Sequence, residues 1–171
     1  MSLRQRGIGL LSVIGAAVIG FTAVFGGPSA EAHAAGKKPD FKISFFADTT
    51  SPLKPGEGYN FVVFPRSVND VTARVDVTVL VPSAFGKPTI VQNPGYACFT
   101  NLSNGILGEA WEVTCVSNTP IQDSNSGIEF HTIAATRSGQ YGFIASVWPH
   151  QGRDAEADES DNVVTMKKRV S

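Results

Sequence analysis

Apolar and polar residues alternate along most of the chain beyond residue 40. The clearest case is the segment 73–81, ARVDVTVLV, in which every second residue is apolar and most of these are valine. Period-two alternation of β-branched residues is typical of a strand with one buried face. Further strands are predicted at 41–45, 59–63, 89–92, 96–100, 110–115, 127–134, 140–148 and 162–169. The pattern therefore predicts about seven to nine short strands.

Residues that favour turns separate these segments. They include Asn-Pro-Gly at 93–95, Asn-Gly at 104–105, Asn-Thr-Pro at 118–120 and Ser-Gly at 138–139. Beyond the N-terminal segment, no apolar stripe recurs at the spacing of an amphipathic helix. We therefore predict an all-β fold, an immunoglobulin-like Greek-key β-sandwich.

The N-terminus has a different pattern. Arg4 and Arg6 precede an uncharged apolar stretch at 7–25, and small residues follow it. This order is typical of a helical signal peptide, and Ala-x-Ala sites allow cleavage after Ala32 or Ala34. We favour Ala34, which makes residues 1–34 a signal peptide and 35–171 the sandwich domain, secreted or held in the cell envelope. An uncleaved membrane anchor is the alternative, because about twenty apolar residues can span a bilayer.

Composition narrows the classes of partner. The chain is 42% hydrophobic and 17% charged, as a globular protein is, and its formal net charge is −1. Binding to nucleic acid needs clustered Lys and Arg, and the densest basic run is only Lys-Lys-Arg at 167–169. We therefore expect no nucleic-acid partner.

Cys98 and Cys115 are the only cysteines. An exported domain meets an oxidising compartment, which favours a disulfide between them. A metal site would need more ligands at closer spacing, and two free thiols are uncommon in secreted domains. The predicted bond closes a loop of about 16 residues, for which chain entropy gives about 3 kcal/mol.

Several short motifs resemble those of bacterial surface domains. They are Lys-Pro-Gly-Glu-Gly-Tyr at 54–59, the strand VDVTVLVP at 75–82, the pair Cys98 and WEVTC at 111–115, and DESDNV at 158–163. Over residues 40–170 the chain resembles conserved-repeat immunoglobulin-like domains of unknown function and the related CARDB-type cell-adhesion domains. The resemblance implies a surface or adhesion role.

An acidic run near the C-terminus is the most site-like feature. Its members are Asp154, Glu156, Asp158, Glu159 and Asp161. Ca²⁺ binds converging carboxylate oxygens, although this run lacks the glycine of an EF-hand loop. The alternative is a solvated turn in which Asp161 or the following asparagine bonds to local backbone. We expect no other cofactor.

Catalytic motifs are missing, so we predict that the protein is not an enzyme. No nucleophile elbow, zinc-binding helix or phosphate loop is present. The histidines beyond the signal segment, His131 and His150, show no convergent partners in the sequence. Trp148 falls on the opposite face of its strand from Phe143, so Trp148 and His150 are our candidate contact residues.

The sequence therefore favours a non-enzymatic interaction or adhesion module of a bacterial envelope. Its expected partner is an extracellular protein or an envelope polysaccharide, and contact with a membrane is expected only through an uncleaved signal segment. The first alternative is a structural envelope component. The second is a small metal-binding domain that uses the 154–161 loop. An interaction module predicts an exposed apolar patch, whereas a structural component predicts a polar surface.

Overall fold

A computed structural model describes residues 37–105, 108–121, 127–152 and 156–171. The strands are β1 (Phe41–Phe46), β2 (Gly58–Ser67), β3 (Val75–Pro82), β4 (Thr89–Gln92), β5 (Tyr96–Gly105), β6 (Gly108–Ser117), β7 (Ile128–Ile133), β8 (Gly139–Pro149) and β9 (Val163–Val170). Each predicted strand is thereby confirmed. The predicted signal peptide lies outside the described residues. Within them, no helix is long and apolar enough to cross a membrane.

The strands form two antiparallel sheets. The large sheet has the order β5-β6-β3-β8-β9, and the small sheet has the order β1-β2-β7-β4. Strands that are distant in sequence become neighbours: β2 pairs with β7, and β3 lies between β6 and β8. The prediction of an all-β sandwich is confirmed.

The core lies between the sheets and follows from the alternation in the sequence. Val75, Val77, Val79 and Val81 on β3 are each 0% exposed, and the residues between them point to the other side of the large sheet. Burying such a side chain contributes about 1.5–3 kcal/mol. Aromatic rings fill the centre, where Phe61 stacks on Phe130 of β7 at 5.1 Å and meets Phe143 of β8 edge-on at 5.5 Å.

The disulfide is present, but it does not join the two sheets. Cys98 on β5 lies directly opposite Cys115 on β6, and their Cα atoms are 4.0 Å apart. The bond therefore fastens the outermost strand of the large sheet to its neighbour. The turn before β5 is closed by Gly95 at a φ of 80°, a left-handed conformation that favours glycine.

Candidate functional site

The predicted contact residues Trp148 and His150 lie together on the solvent side of the large sheet. Trp148 is half-buried and lies opposite Asp76 of β3. His150 follows the end of β8, and its Nδ1 is 2.8 Å from the Asp76 Oδ1. Both members of this pair are accessible, at 43% and 36% exposure of their side chains. Strand pairing thus brings together three residues from two distant parts of the chain.

We call the solvent side of the large sheet on β5, β6, β3 and β8 the outer face. Its residues alternate with the core-facing ones: Ala97, Phe99 and Asn101; Ala110, Glu112, Thr114 and Val116; Asp76, Thr78, Leu80 and Pro82; Gly142, Ile144, Ser146 and Trp148. Two of these side chains are acidic and none is basic. The outer face is therefore rich in apolar and hydroxyl groups.

A depression lies at one end of the outer face. Leu80 and Ile144 are cross-strand partners at its rim, and its volume is about 210 Å³. Its lining also includes the small residues Ala110 and Gly142 and the polar residues Glu109 and Gln140. A Cβ built on Gly142 would meet no atom within 4 Å. The surface at Gly142 is therefore open to solvent.

The acidic run lies elsewhere, along the free side of β1. We call residues 156–162 the acidic strap. Glu156 in this strap is 6% exposed, and its carboxylate accepts hydrogen bonds from the Phe41 amide at 2.7 Å and the Asn162 side chain at 2.6 Å. The Ala157 amide donates to the Pro39 carbonyl at 2.9 Å. The acidic strap is therefore anchored to the first strand through Glu156, whereas its residues 157–161 are exposed to solvent.

Burial also changes how these carboxyl groups titrate. Burial raises the pKa of Glu156, and the hydrogen bonds from Phe41 and Asn162 oppose that rise. Burial likewise raises the pKa of Asp40, and the negative charges of Asp161 and Asp158 act in the same direction.

Asp158 behaves in the opposite way. It is exposed, and hydrogen bonds from Ser160 lower the pKa of its carboxyl group. Among the four described members of the acidic run, Asp158 alone makes the local turn bond that the alternative interpretation expects. Asn162 bonds instead to Glu156, six residues away.

Four members of the predicted cation site lie in the acidic strap, namely Glu156, Asp158, Glu159 and Asp161. The fifth, Asp154, lies outside the described residues. In the described part of the chain, no three His, Cys, Asp or Glu side chains group as metal ligands. The Asp40 Oδ1 and the Asn162 Oδ1 are buried without a hydrogen-bond partner there. The cation site remains a prediction.

Asp40 and Phe41 are site residues that sequence reasoning missed. Phe41 precedes Glu156 by 115 residues, and the side-chain acceptor of its amide is set by the packing of the strap on β1. Local pattern carries no signal for such a contact. The contact follows from the sheet order, which makes β1 an edge strand whose outer backbone groups need cover.

The histidines lie on different sheets. His131 on β7 contacts the Asn60 Oδ1 of β2 through its Nδ1 at 2.6 Å, on the solvent side of the small sheet. His150 lies at the end of the large sheet beside Asp76. Each therefore has its own polar partner on its own sheet.

Comparisons with known proteins concern the fold. The sequence matches no protein-family model, and no curated protein matches it. The structure is similar to a CARDB domain from Pyrococcus furiosus solved in complex with di-metal ions, with a TM-score of 0.50, 16% identity, and coverage of 78% of this chain and 94% of that one. It is also similar to a cohesin module of a family 33 glycoside hydrolase from Clostridium perfringens, with a TM-score of 0.52, 10% identity, and coverage of 78% and 98%. The chain has the fold of CARDB domains, so the predicted resemblance is confirmed at the level of the fold.

Proposed function

We propose that this chain is an exported, non-enzymatic binding module of a bacterial cell surface, and that its partner binds to the outer face. The observation that supports this proposal is the apolar pair Leu80 and Ile144 beside a depression on a solvent-facing sheet. The solvated face of an antiparallel sheet is ordinarily polar. Contiguous apolar surface there is typical of interaction sites.

The remaining side chains of the outer face suit the same role. Trp148 and Phe99 supply rings that can cover apolar surface, and Phe99 is 54% exposed. Thr78 and Thr114 lie between them and offer hydroxyl groups for hydrogen bonds. The neighbouring strand β9 adds two basic residues on the same side of the sheet, because Lys167 lies beside Gly142 and Arg169 beside Gln140.

The partner that best fits this face is another extracellular protein. Aliphatic side chains such as Leu80 and Ile144 gain most from excluding water with an apolar side chain of a partner. A polysaccharide of the envelope is the second possibility, and it would stack its sugar rings on Trp148. A purely structural envelope component is less well supported, because it needs no apolar outer face.

Substitution on the outer face tests the proposal. Leu80→Arg places a cation in the rim of the depression, and Glu112 lies directly opposite to accept it without unfolding. Ser44→Arg on the solvent side of the small sheet is the matched control. We expect wild type and Ser44→Arg to bind fractionated cell envelopes and Leu80→Arg to lose most of that binding. Equal binding by Leu80→Arg would refute this location for the site.

Cation binding at the acidic strap is a second candidate. Two buried oxygens without a donor, on Asp40 and Asn162, favour it, and the similar CARDB domain was solved with di-metal ions. A ligand that binds only the folded state raises the midpoint of thermal unfolding. Thermal unfolding with Ca²⁺ and with a chelator would therefore decide it. Identical midpoints would eliminate this candidate, and the outer-face experiment would be unaffected.

A further inference from the structure

The sandwich has four edge strands, and three of them are short, covered or charged. The acidic strap covers β1, and β4 is only 4 residues long. Strand β9 has Lys-Lys-Arg at 167–169, and its C-terminal end is bridged by Leu53, which donates its amide to the Arg169 carbonyl at 2.9 Å. The fourth edge strand, β5, has 10 residues, and within the described part of the chain no strand pairs with its outer side.

The unpaired backbone groups of β5 can be identified from the disulfide pair. The Cα atoms of Cys98 and Cys115 are 4.0 Å apart, which is the separation of a non-hydrogen-bonded pair in an antiparallel ladder. The amide and carbonyl of Cys98 therefore point away from β6. Alternation along the strand gives Thr100, Leu102 and Asn104 the same orientation. At the start of β5 the Tyr96 carbonyl is already occupied, since it accepts from the Asn93 side chain.

This edge also lacks the features that normally prevent strand pairing. Natural edge strands carry Lys, Pro or bulges, or they are short. Strand β5 has the sequence YACFTNLSNG, with no charged residue and no proline. Phe99 and Leu102 are 54% and 48% exposed and lie on opposite faces of the sheet. The disulfide holds the strand in register with β6, so its outer groups are already ordered for a partner strand.

We propose that β5 pairs antiparallel with β5 of a second copy of this chain, joining two large sheets into one. A strand without charges can lie beside its own copy without placing like charges together. A two-fold axis near Thr100 would place each outward amide opposite an outward carbonyl, as an isologous interface requires. The inference does not rest on the proposed function, although pairing would make the outer faces of both copies continuous.

Sedimentation velocity over a concentration series tests this pairing, using protein expressed from the full-length sequence. Thr100→Pro removes an outward amide that has no partner in the single chain, and Phe99→Lys brings like charges close across the two-fold axis. Val163→Lys is the matched control, because it is 50% exposed and lies in the same cross-strand row at the opposite edge of the sheet. We expect a wild-type dimer whose dissociation constant rises about tenfold or more in both β5 variants and stays unchanged in the control.

Hydrogen exchange followed by NMR adds a residue-level test. In the wild-type protein the amides of Cys98, Thr100 and Leu102 should exchange more slowly as concentration rises, with no such change in Phe99→Lys. A wild-type protein that stays monomeric throughout the series would overturn the proposal. A dimer that persists in Phe99→Lys would overturn it as well. If Thr100→Pro fails to fold, Phe99→Lys and its control still decide.

Discussion

The edge strands β1 and β5 differ in what contacts their outer side and in how each is held in place. The edge at β1 is covered by a segment that follows β8, and its amide at Phe41 donates to the buried carboxylate of Glu156. The edge at β5 carries no cover in the described chain and is fastened to β6 by a disulfide. One edge is thus closed by long-range side-chain bonds, whereas the other is kept open and made rigid by a covalent bond.

The two edges therefore differ in whether they can pair with a further strand. A covered edge cannot add a strand, so β1 is closed to strand pairing with a partner. An open edge that frays would lose its ordered backbone groups, and a bond to the neighbouring strand prevents this. We infer that the disulfide keeps the outer backbone groups of β5 ordered for strand pairing and also stabilises the domain.

Removing the disulfide should have the largest effect. We expect Cys98→Ala with Cys115→Ala to lower the free energy of unfolding by about 3 kcal/mol or more, because the closed loop restricts the unfolded chain. Denaturant titration measures this loss. Hydrogen exchange should show β5 amides losing protection while those of β1 keep theirs. Equal loss of protection on both edges would contradict a local role for the bond.

Breaking the cover of β1 should have the next largest effect. Glu156→Ala leaves the Phe41 amide and the Asn162 side chain without their acceptor, which should cost about 2–3 kcal/mol. Glu159→Ala, an exposed neighbour in the strap, is the control and should change stability by less than about 0.5 kcal/mol. Denaturant midpoints would compare them. Similar losses in both variants would mean that the strap has no specific anchor.

The smallest expected effect is a change in how the stability of the fold depends on pH. The raised pKa of Glu156 means that the folded state binds its proton more tightly than the unfolded state does. Its stabilising contribution is therefore complete below the ordinary value of 4.5 and is lost as pH rises through the folded value. Asp40, whose pKa is also raised, acts in the same direction.

Glu156→Gln isolates the part of this pH dependence that belongs to Glu156. The side-chain amide of the new glutamine can donate to the Asn162 Oδ1 if the Asn162 side chain rotates to present that oxygen. We expect wild type to lose stability relative to Glu156→Gln as the pH rises above 4.5, as thermal unfolding would show. Asp48, with a pKa lowered to about 2 by hydrogen bonds from Thr50 and Ser51, titrates below this window. Parallel pH profiles for the two proteins would contradict the assignment.

The face of the sheet on which Trp148 lies was predictable from local pattern. Alternation along β8 placed Trp148 opposite to Phe143, and the structure has Phe143 at 0% exposure with Trp148 on the other side. What the pattern lacked was the neighbour, since Asp76 reaches Trp148 only through the pairing of β3 with β8. Alternation predicts on which face of the sheet a residue lies, whereas strand register determines which residues of the neighbouring strand lie beside it.

The basic run at 167–169 illustrates the same limit. The sequence does not show that one of its charges is buried, but Lys168 is 1% exposed and lies over the ring of Tyr59 at 5.0 Å. Its ammonium group donates to the backbone carbonyls of Asp48 and Ser51. Burying a charged group requires such partners, and their positions depend on a loop far away in sequence.

Local pattern was enough to predict the strands, their inward and outward faces and the pairing of the two cysteines, because it needs only alternation, turn residues and the cysteine count. Only the tertiary structure decided that the disulfide holds an edge strand, that the acidic run covers β1, and that the outer face contains a depression. These features depend on sheet order and register, which arise from contacts between segments far apart in the chain. An edge exists only once every other strand has found its neighbour.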